Sequence, residues 1–262
     1  MTNSALFAQF LDLIAAYVPW VVLAIARPFG FTLLFAVFAW AKLGTGILRM
    51  VFAIGIAIPL FANGVPSAEL ELQIPFVGLL IKEILIGAIL GFVASIPLAI
   101  AIAGGGIIDL YRGTFQGEPD PAGGEVTPYG NLFAVISIWL FASIGGFQII
   151  TGIIYSSYDI WNVNASFPVF NPGADVLLDI LEKILLGAVV LASPLLVIMF
   201  LSDIVHLIGA KFGKNIDVGH LSFSTKNLIA LIVLPLFLVV SIRFFKDDLT
   251  FLYSVPDFVR GI

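Results

Sequence analysis

The chain has 262 residues, 60% of them hydrophobic and only 11% charged, with a formal charge of −5, two His and no Cys. A soluble domain carries about a quarter charged residues, so this chain lacks the polar material to coat a water-facing surface and reads as an integral membrane protein. The absence of Cys excludes disulfides and thiolate metal sites, and a net negative chain without a basic stripe excludes nucleic acid as a partner.

In chain order, the start MTNSALFAQFLDLIAAY lacks a basic stretch and carries Asp12, so a cleaved signal peptide is not expected. Residues 5–26 form an apolar run of about the 20 residues a bilayer needs. Arg27-Pro28 follows as a kink or a boundary, and residues 29–41 are a shorter apolar piece. Lys42, Gly44, Gly46 and Arg49 mark a turn. Residues 50–62 run into the acidic loop ANGVPSAELELQIP. Residues 76–103 are a long apolar run with Lys82-Glu83 near its start and Pro97 inside. Residues 104–130 then break the pattern with Gly, Pro and charge.

Residues 131–155 are the next expected span, followed by the polar loop YSSYDIWNVNASFPVFNPGAD. Residues 177–208 make a long helix with Pro194 and Asp203 inside it. The basic loop KFGKNIDVGH leads to a last span at 226–245. The total is about six spans. Barrel strands would alternate apolar and polar residues; these runs do not, so helices are expected. Lys42, Arg49, Lys211 and Lys214 place their loops on the cytoplasmic side, and alternation puts 104–130 there too.

An ionisable group in hydrocarbon costs about 2.5–3.5 kcal/mol on insertion scales, so each one needs a reason. Lys82 and Glu83 are adjacent, about 100° apart around a helix. They either snorkel near an interface or meet a neighbouring subunit. Asp203 and His206 lie three apart on one face, as a proton relay or as a structural hydrogen-bonded pair at a helix junction. Asp109 and Arg112 share that spacing and pair within one turn. Arg27 is expected to tie a helix end to something polar. Gly-x-Ser-x-Gly, His-Glu-x-x-His and Walker motifs are absent. Tyr158-Asp159 resembles half of an intramembrane aspartyl protease pair, but the Gly-x-Gly-Asp half is missing, so it reads as interface decoration. No enzyme, cofactor or metal site is expected.

The run IKEILIGAILGFVASIPLAIAIAGGGIIDLYRG, residues 81–113, resembles the T component of the type III secretion export apparatus, a family related to the flagellar R component. The matching features are Lys82-Glu83, Gly87, Gly91-Phe92, Pro97, Gly105, Ile108-Asp109, Arg112-Gly113 and then Asp120-Pro121. LASPLLVIMFLSD at 191–203, RPFGFTLLFAV at 27–37 and Arg49 fit the same pattern. The Ile-Asp-x-x-Arg-Gly element resembles the injectisome branch more than the flagellar one. Leu110-Tyr111 departs from the polar pair usual there. AKFGKNIDVGHLSFSTKN lacks the family's Pro and keeps only Lys226 near its place.

The resemblance implies an all-α, polytopic membrane protein of long bent helical hairpins, one domain over 1–262, packed with partners in an export gate of the bacterial inner membrane. The implied partners are the R and S components, the switch (U) and large gate (V) components, the needle or rod base, membrane lipid, and unfolded secreted proteins in transit. It implies a pore-plugging loop with Gly105, Gly106, Asp109, Arg112, Gly113, Glu118, Asp120 and Pro121. The glycines would release the chain from helix, and Asp109 and Arg112 would latch the closed loop. Arg27, Arg49, Lys82, Glu83, Asp203 and Lys226 are candidates for subunit contacts. A flagellar R component remains an alternative, as does a stand-alone small-molecule transporter coupled through Asp203 and His206.

Overall fold

The computed structural model describes residues 3–40, 45–62, 75–113, 127–163, 174–212, 218–252 and 255. Every regular element among them is an α-helix: α1 (Asn3–Leu34), α2 (Ala36–Trp40), α3 (Gly46–Ala62), α4 (Phe76–Ala94), α5 (Ile96–Arg112), α6 (Pro128–Ser143), α7 (Gly146–Ile160), α8 (Ala174–Phe212) and α9 (Val218–Leu249). Four contain stretches long and apolar enough to cross a membrane: Tyr17–Leu34, Phe76–Ala94, Leu178–Phe212 and Leu221–Val239. Taken together as one broken span, α6 and α7 add a fifth. The chain is an all-helical, polytopic membrane protein. The described residues fall into two compact units, the first holding α1–α4 and α7, the second α5, α6, α8 and α9.

Several expected boundaries move, each for a physical reason. Arg27-Pro28 is not a boundary, because α1 runs through Pro19 and Pro28. Pro28 has no N–H for the carbonyl of Ala24, four residues back. The Tyr158 hydroxyl donates to that carbonyl at 3.3 Å, so the lost bond is replaced from α7. The expected run 76–103 divides at Ser95, a turn residue between α4 and α5. Pro97, two residues on, leaves the Val93 carbonyl without its helical donor. Ser95 is used on all sides: it accepts the Ala36 N–H at 2.8 Å, and its hydroxyl lies 2.7 Å from the Gly91 carbonyl and 3.0 Å from that of Leu34. The expected span 131–155 divides at Gly145, whose φ of 78° is the left-handed conformation that stops α6.

In the first unit α1 lies along α4 at backbone contact. A Cβ on Gly87 would collide with the Arg27 carbonyl and the Phe31 amide, and one on Gly91 with the Phe31 carbonyl. A ladder of rings continues from there: Phe31, Phe35, Phe38, Phe52 and Phe147 meet in sequence with centroids 4.9–6.2 Å apart. Gly87→Ala is therefore expected to destabilise the protein by about 1–3 kcal/mol, read as a lower unfolding temperature in detergent. Gly55 has open space where its Cβ would stand, so Gly55→Ala is the matched control and is expected to be neutral or stabilising.

In the second unit α5 packs against α6 and α8. Phe133 of α6 is fully buried there, its ring centroid 5.6 Å from Phe237 and 5.7 Å from Phe245.

Candidate functional site

The first polar cluster stands where α5 ends and α6 begins, at the two stems of segment 114–126. The helix does not break at Gly104–Gly106, as expected from three consecutive glycines; it continues to Arg112. Two of those glycines serve contact, not departure from helix: a Cβ on Gly105 would run into the backbone of Tyr129 and Gly130 on α6, and one on Gly104 into the Leu191 side chain of α8, while Gly106 has open space. The helix stops at Gly113, φ 76°, whose N–H donates to the Leu110 carbonyl at 3.1 Å.

Asp109 ties the two stems together. Its carboxylate accepts the N–H of Tyr129 at 2.7 Å and of Gly130 at 3.3 Å. These are first-turn donors of α6, which have no partner inside their own helix. Thr127, at the usual capping position, makes no side-chain cap, so a carboxylate from another helix does that work. A negative charge also suits a helix N-terminus. Arg112 Nη1 donates to Asp109 Oδ1 at 3.1 Å, while its Nε and Nη2 donate to Asn227 Oδ1 of α9 at 2.9 and 2.7 Å. The guanidinium stacks on the Tyr129 ring, 4.6 Å from its centroid.

The expected Asp109–Arg112 pair thus exists, but both residues belong to α5, not to a free loop. Asp109 is fully buried, and the Arg112 side chain is 13% exposed. Gly105 and Gly106 are helical too, and only Gly113 opens the segment. Glu118, Asp120 and Pro121 lie outside the described residues.

Asp203 of α8 gathers donors from two other helices, α5 and α9. Tyr111 donates to Oδ2 at 2.9 Å, Ser222 to Oδ1 at 2.5 Å, and Lys226 Nζ stands 3.4 Å from Oδ2. His206 does not pair with Asp203, contrary to the expectation of a joint relay or a bonded pair. Its Nδ1 donates to the Ser202 carbonyl at 2.7 Å, and its Nε2 faces the Thr225 hydroxyl at 3.2 Å. The three-residue spacing puts both on one face, but α9 separates them by offering each its own partner. Tyr111, the departure from the polar pair usual at that position, is the residue that connects α5 to Asp203. Tyr129, Ser222 and Asn227 were not legible as site residues; the only sequence signal for the last two is a polar stretch, Ser222 to Asn227, opening an otherwise apolar helix.

The second cluster lies in the first unit and is almost wholly buried. Arg27 Nε donates to Glu83 Oε2 at 2.7 Å, Nη1 to the Ser157 hydroxyl at 3.0 Å and Nη2 to the Trp161 carbonyl at 2.8 Å. Its guanidinium covers the Tyr158 ring at 3.8 Å. Lys82 Nζ donates to the carbonyls of Val163 at 2.6 Å and Asn162 at 3.1 Å, and stands 3.3 Å from Glu83 Oε1. Side-chain exposure is 0% for Arg27 and Glu83 and 1% for Lys82.

Two cations face one carboxylate here, and the end of α7 supplies the rest. Residues 161, 162 and 163 directly follow α7, so their carbonyls continue the orphan acceptors at the negative end of that helix dipole. The expectation that Arg27, Lys82 and Glu83 reach a neighbouring subunit, or that the last two snorkel, gives way to this enclosure: all three are consumed within the chain. Tyr158 belongs to the same cluster instead of decorating an interface, while Asp159 is exposed. Arg49 differs from all of these. Its Nε is buried and has no hydrogen-bond partner among the described residues. Among the described residues no three His, Asp or Glu side chains converge to hold a metal ion.

The profile of the family described as Bacterial export proteins, family 1, matches residues 18–252, a stretch that contains both clusters. The chain belongs to this family. It is similar to the Yop proteins translocation protein T of Yersinia pestis, 31% identical over 199 residues, which is 74% of this chain and 76% of that one. It is similar to the Surface presentation of antigens protein SpaR of Shigella sonnei, 32% identical over 163 residues, 60% of each chain. The Flagellar biosynthetic protein FliR of Bacillus subtilis is 24% identical over 190 residues, 71% of this chain and 73% of that one. This family member therefore stands nearer the protein-secretion relatives than the flagellar one.

Proposed function

We propose that this chain is the T-type structural subunit of a type III secretion export gate, seated in a bacterial inner membrane and without catalytic activity of its own. The observation that carries the reading is the buried Asp109 tie. It fixes both stems of a polar Gly- and Pro-rich segment inside an otherwise apolar protein. The sequence between these stems is rich in Gly and Pro, which oppose helix. Such a segment suits a stopper: it seals a conduit when idle and yields to a passing chain.

In this reading the R and S components cover the apolar faces that α8 and α9 leave open, such as Leu185, Val189, Val205, Leu231 and Leu236. The switch and large gate components and the needle or rod base complete the assembly, and unfolded secreted proteins pass through it. The translocation name of the Yersinia pestis relative supports this over a small-molecule transporter. The separate partners of Asp203 and His206 speak against the joint coupling site on which the transporter reading rests.

Two measurements test the proposal. The full-length chain, expressed with R and S components, is expected to co-purify with them and to be unstable without them. A solitary, stable chain that moves a small solute after reconstitution would overturn the gate reading. Deleting residues 114–124 is expected to raise ion leak through the assembled gate, and an unchanged conductance would remove the stopper role.

A further inference from the structure

An apolar cavity of about 360 Å³ opens between α1, α3 and α4 of the first unit. Its walls include Val22 and Phe29 of α1, Gly46 and Met50 of α3, and Leu80 and Ile84 of α4. The volume falls within the range of about 300–1,000 Å³ typical of sites that take a small-molecule ligand. Arg49 sits in the first turn of α3, between the two cavity-lining positions of that helix. Its buried Nε has no partner among the described residues. Around it α3 presents exposed apolar side chains: Ile47 is 78% exposed, Val51 61% and Ile58 57%.

Arg49 is only partly exposed, and a guanidinium whose Nε is buried in such a surface without an acceptor favours an anion beside it, because a buried donor left unpaired is costly. Phosphate matches the guanidinium fork with two parallel hydrogen bonds. A carboxylate on a neighbouring protein would answer the charge but leave the cavity beside it unfilled, forfeiting packing along its walls. A phospholipid answers both needs with one molecule. We infer that this face binds one anionic phospholipid, with an acyl chain in the cavity and the phosphate on Arg49.

The test is native mass spectrometry of the full-length chain in detergent, titrated separately with phosphatidylglycerol, phosphatidylcholine and inorganic phosphate. Phosphatidylglycerol is expected to bind about tenfold more tightly than phosphatidylcholine, the difference one charge-assisted contact supplies. Inorganic phosphate alone is expected not to bind, since it cannot fill the cavity. Arg49→Gln is expected to abolish the preference while leaving phosphatidylcholine binding in place. Gly46→Leu approaches from the apolar side: nothing lies within 4 Å of its Cβ position, so the new side chain enters the cavity without displacing the chain, and both lipids are expected to bind more weakly. Arg243→Gln, at an exposed cation on α9, is expected to change nothing. Equal binding of the two lipids by the native chain would overturn the proposal. So would a preference that survives Arg49→Gln, or a photo-crosslinker at exposed Ile47, which leaves Arg49 in place, that captures protein instead of lipid in the assembled complex.

Discussion

Glu83→Ala is expected to lower stability by about 3–5 kcal/mol, the cost of removing one partner from a buried ion pair. The residue is fully enclosed and is the only carboxylate among the described partners of Arg27 and Lys82. Without it the acceptors described for these two buried cations are a hydroxyl and three carbonyls, none of them charged. Glu83→Gln keeps an acceptor for Arg27 but no charge, so its loss is expected to be intermediate. Replacing Arg27, Lys82 and Glu83 together by apolar residues tests the logic further. Such swaps of buried charges are often neutral or stabilising. Here they are expected to recover only part of the loss, because the carbonyls of Trp161, Asn162 and Val163 would lose the donors that hold them. The measurement is thermal unfolding in detergent. A Glu83→Ala chain as stable as the native one would mean that the cluster does not hold the first unit together.

Asp109→Ala is expected to have the second large effect, and to read out on function as well as stability. The substitution removes a helix cap, typically 0.5–2 kcal/mol, and leaves Arg112 without its carboxylate. The amides of Tyr129 and Gly130 lose their acceptor, so their hydrogen exchange is expected to accelerate, with cleavage of the neighbouring segment by added protease. In the assembled gate the same variant is expected to leak ions, because the segment's stem is no longer fixed. Arg112→Gln should be milder, since the Arg112 side chain retains access to water. Asn227→Ala should be mildest, as Arg112 keeps Asp109. Unchanged protection of Tyr129 and Gly130 in Asp109→Ala would show that the stems are held by packing alone, through the Gly105–Gly130 contact.

Composition and local order were enough to establish that this is a helical membrane protein of the export family. Charge scarcity leaves no soluble surface to build, and unalternating apolar runs permit helices but not barrel strands. The order Lys82-Glu83, Ile108-Asp109, Arg112-Gly113 carries the family likeness, and the Asp109–Arg112 pair followed from its three-residue spacing because partners within one helical turn need no tertiary information. Everything that depends on residues distant in the chain was decided by packing. Arg27 meets Glu83 and Ser157 across 56 and 130 positions, and no local pattern announces such a meeting. Gly104–Gly106 read as a break, since glycine costs a helix about 1 kcal/mol per residue; at Gly105 the close approach of α5 to α6, which only a residue without a side chain allows, outweighs that preference. Pro28 read as a possible end, yet α1 continues because Tyr158 supplies the hydrogen bond that proline cannot. Local chemistry sets what each segment prefers, and the tertiary structure overrides it wherever a distant group can supply the missing partner or needs the missing side chain's space.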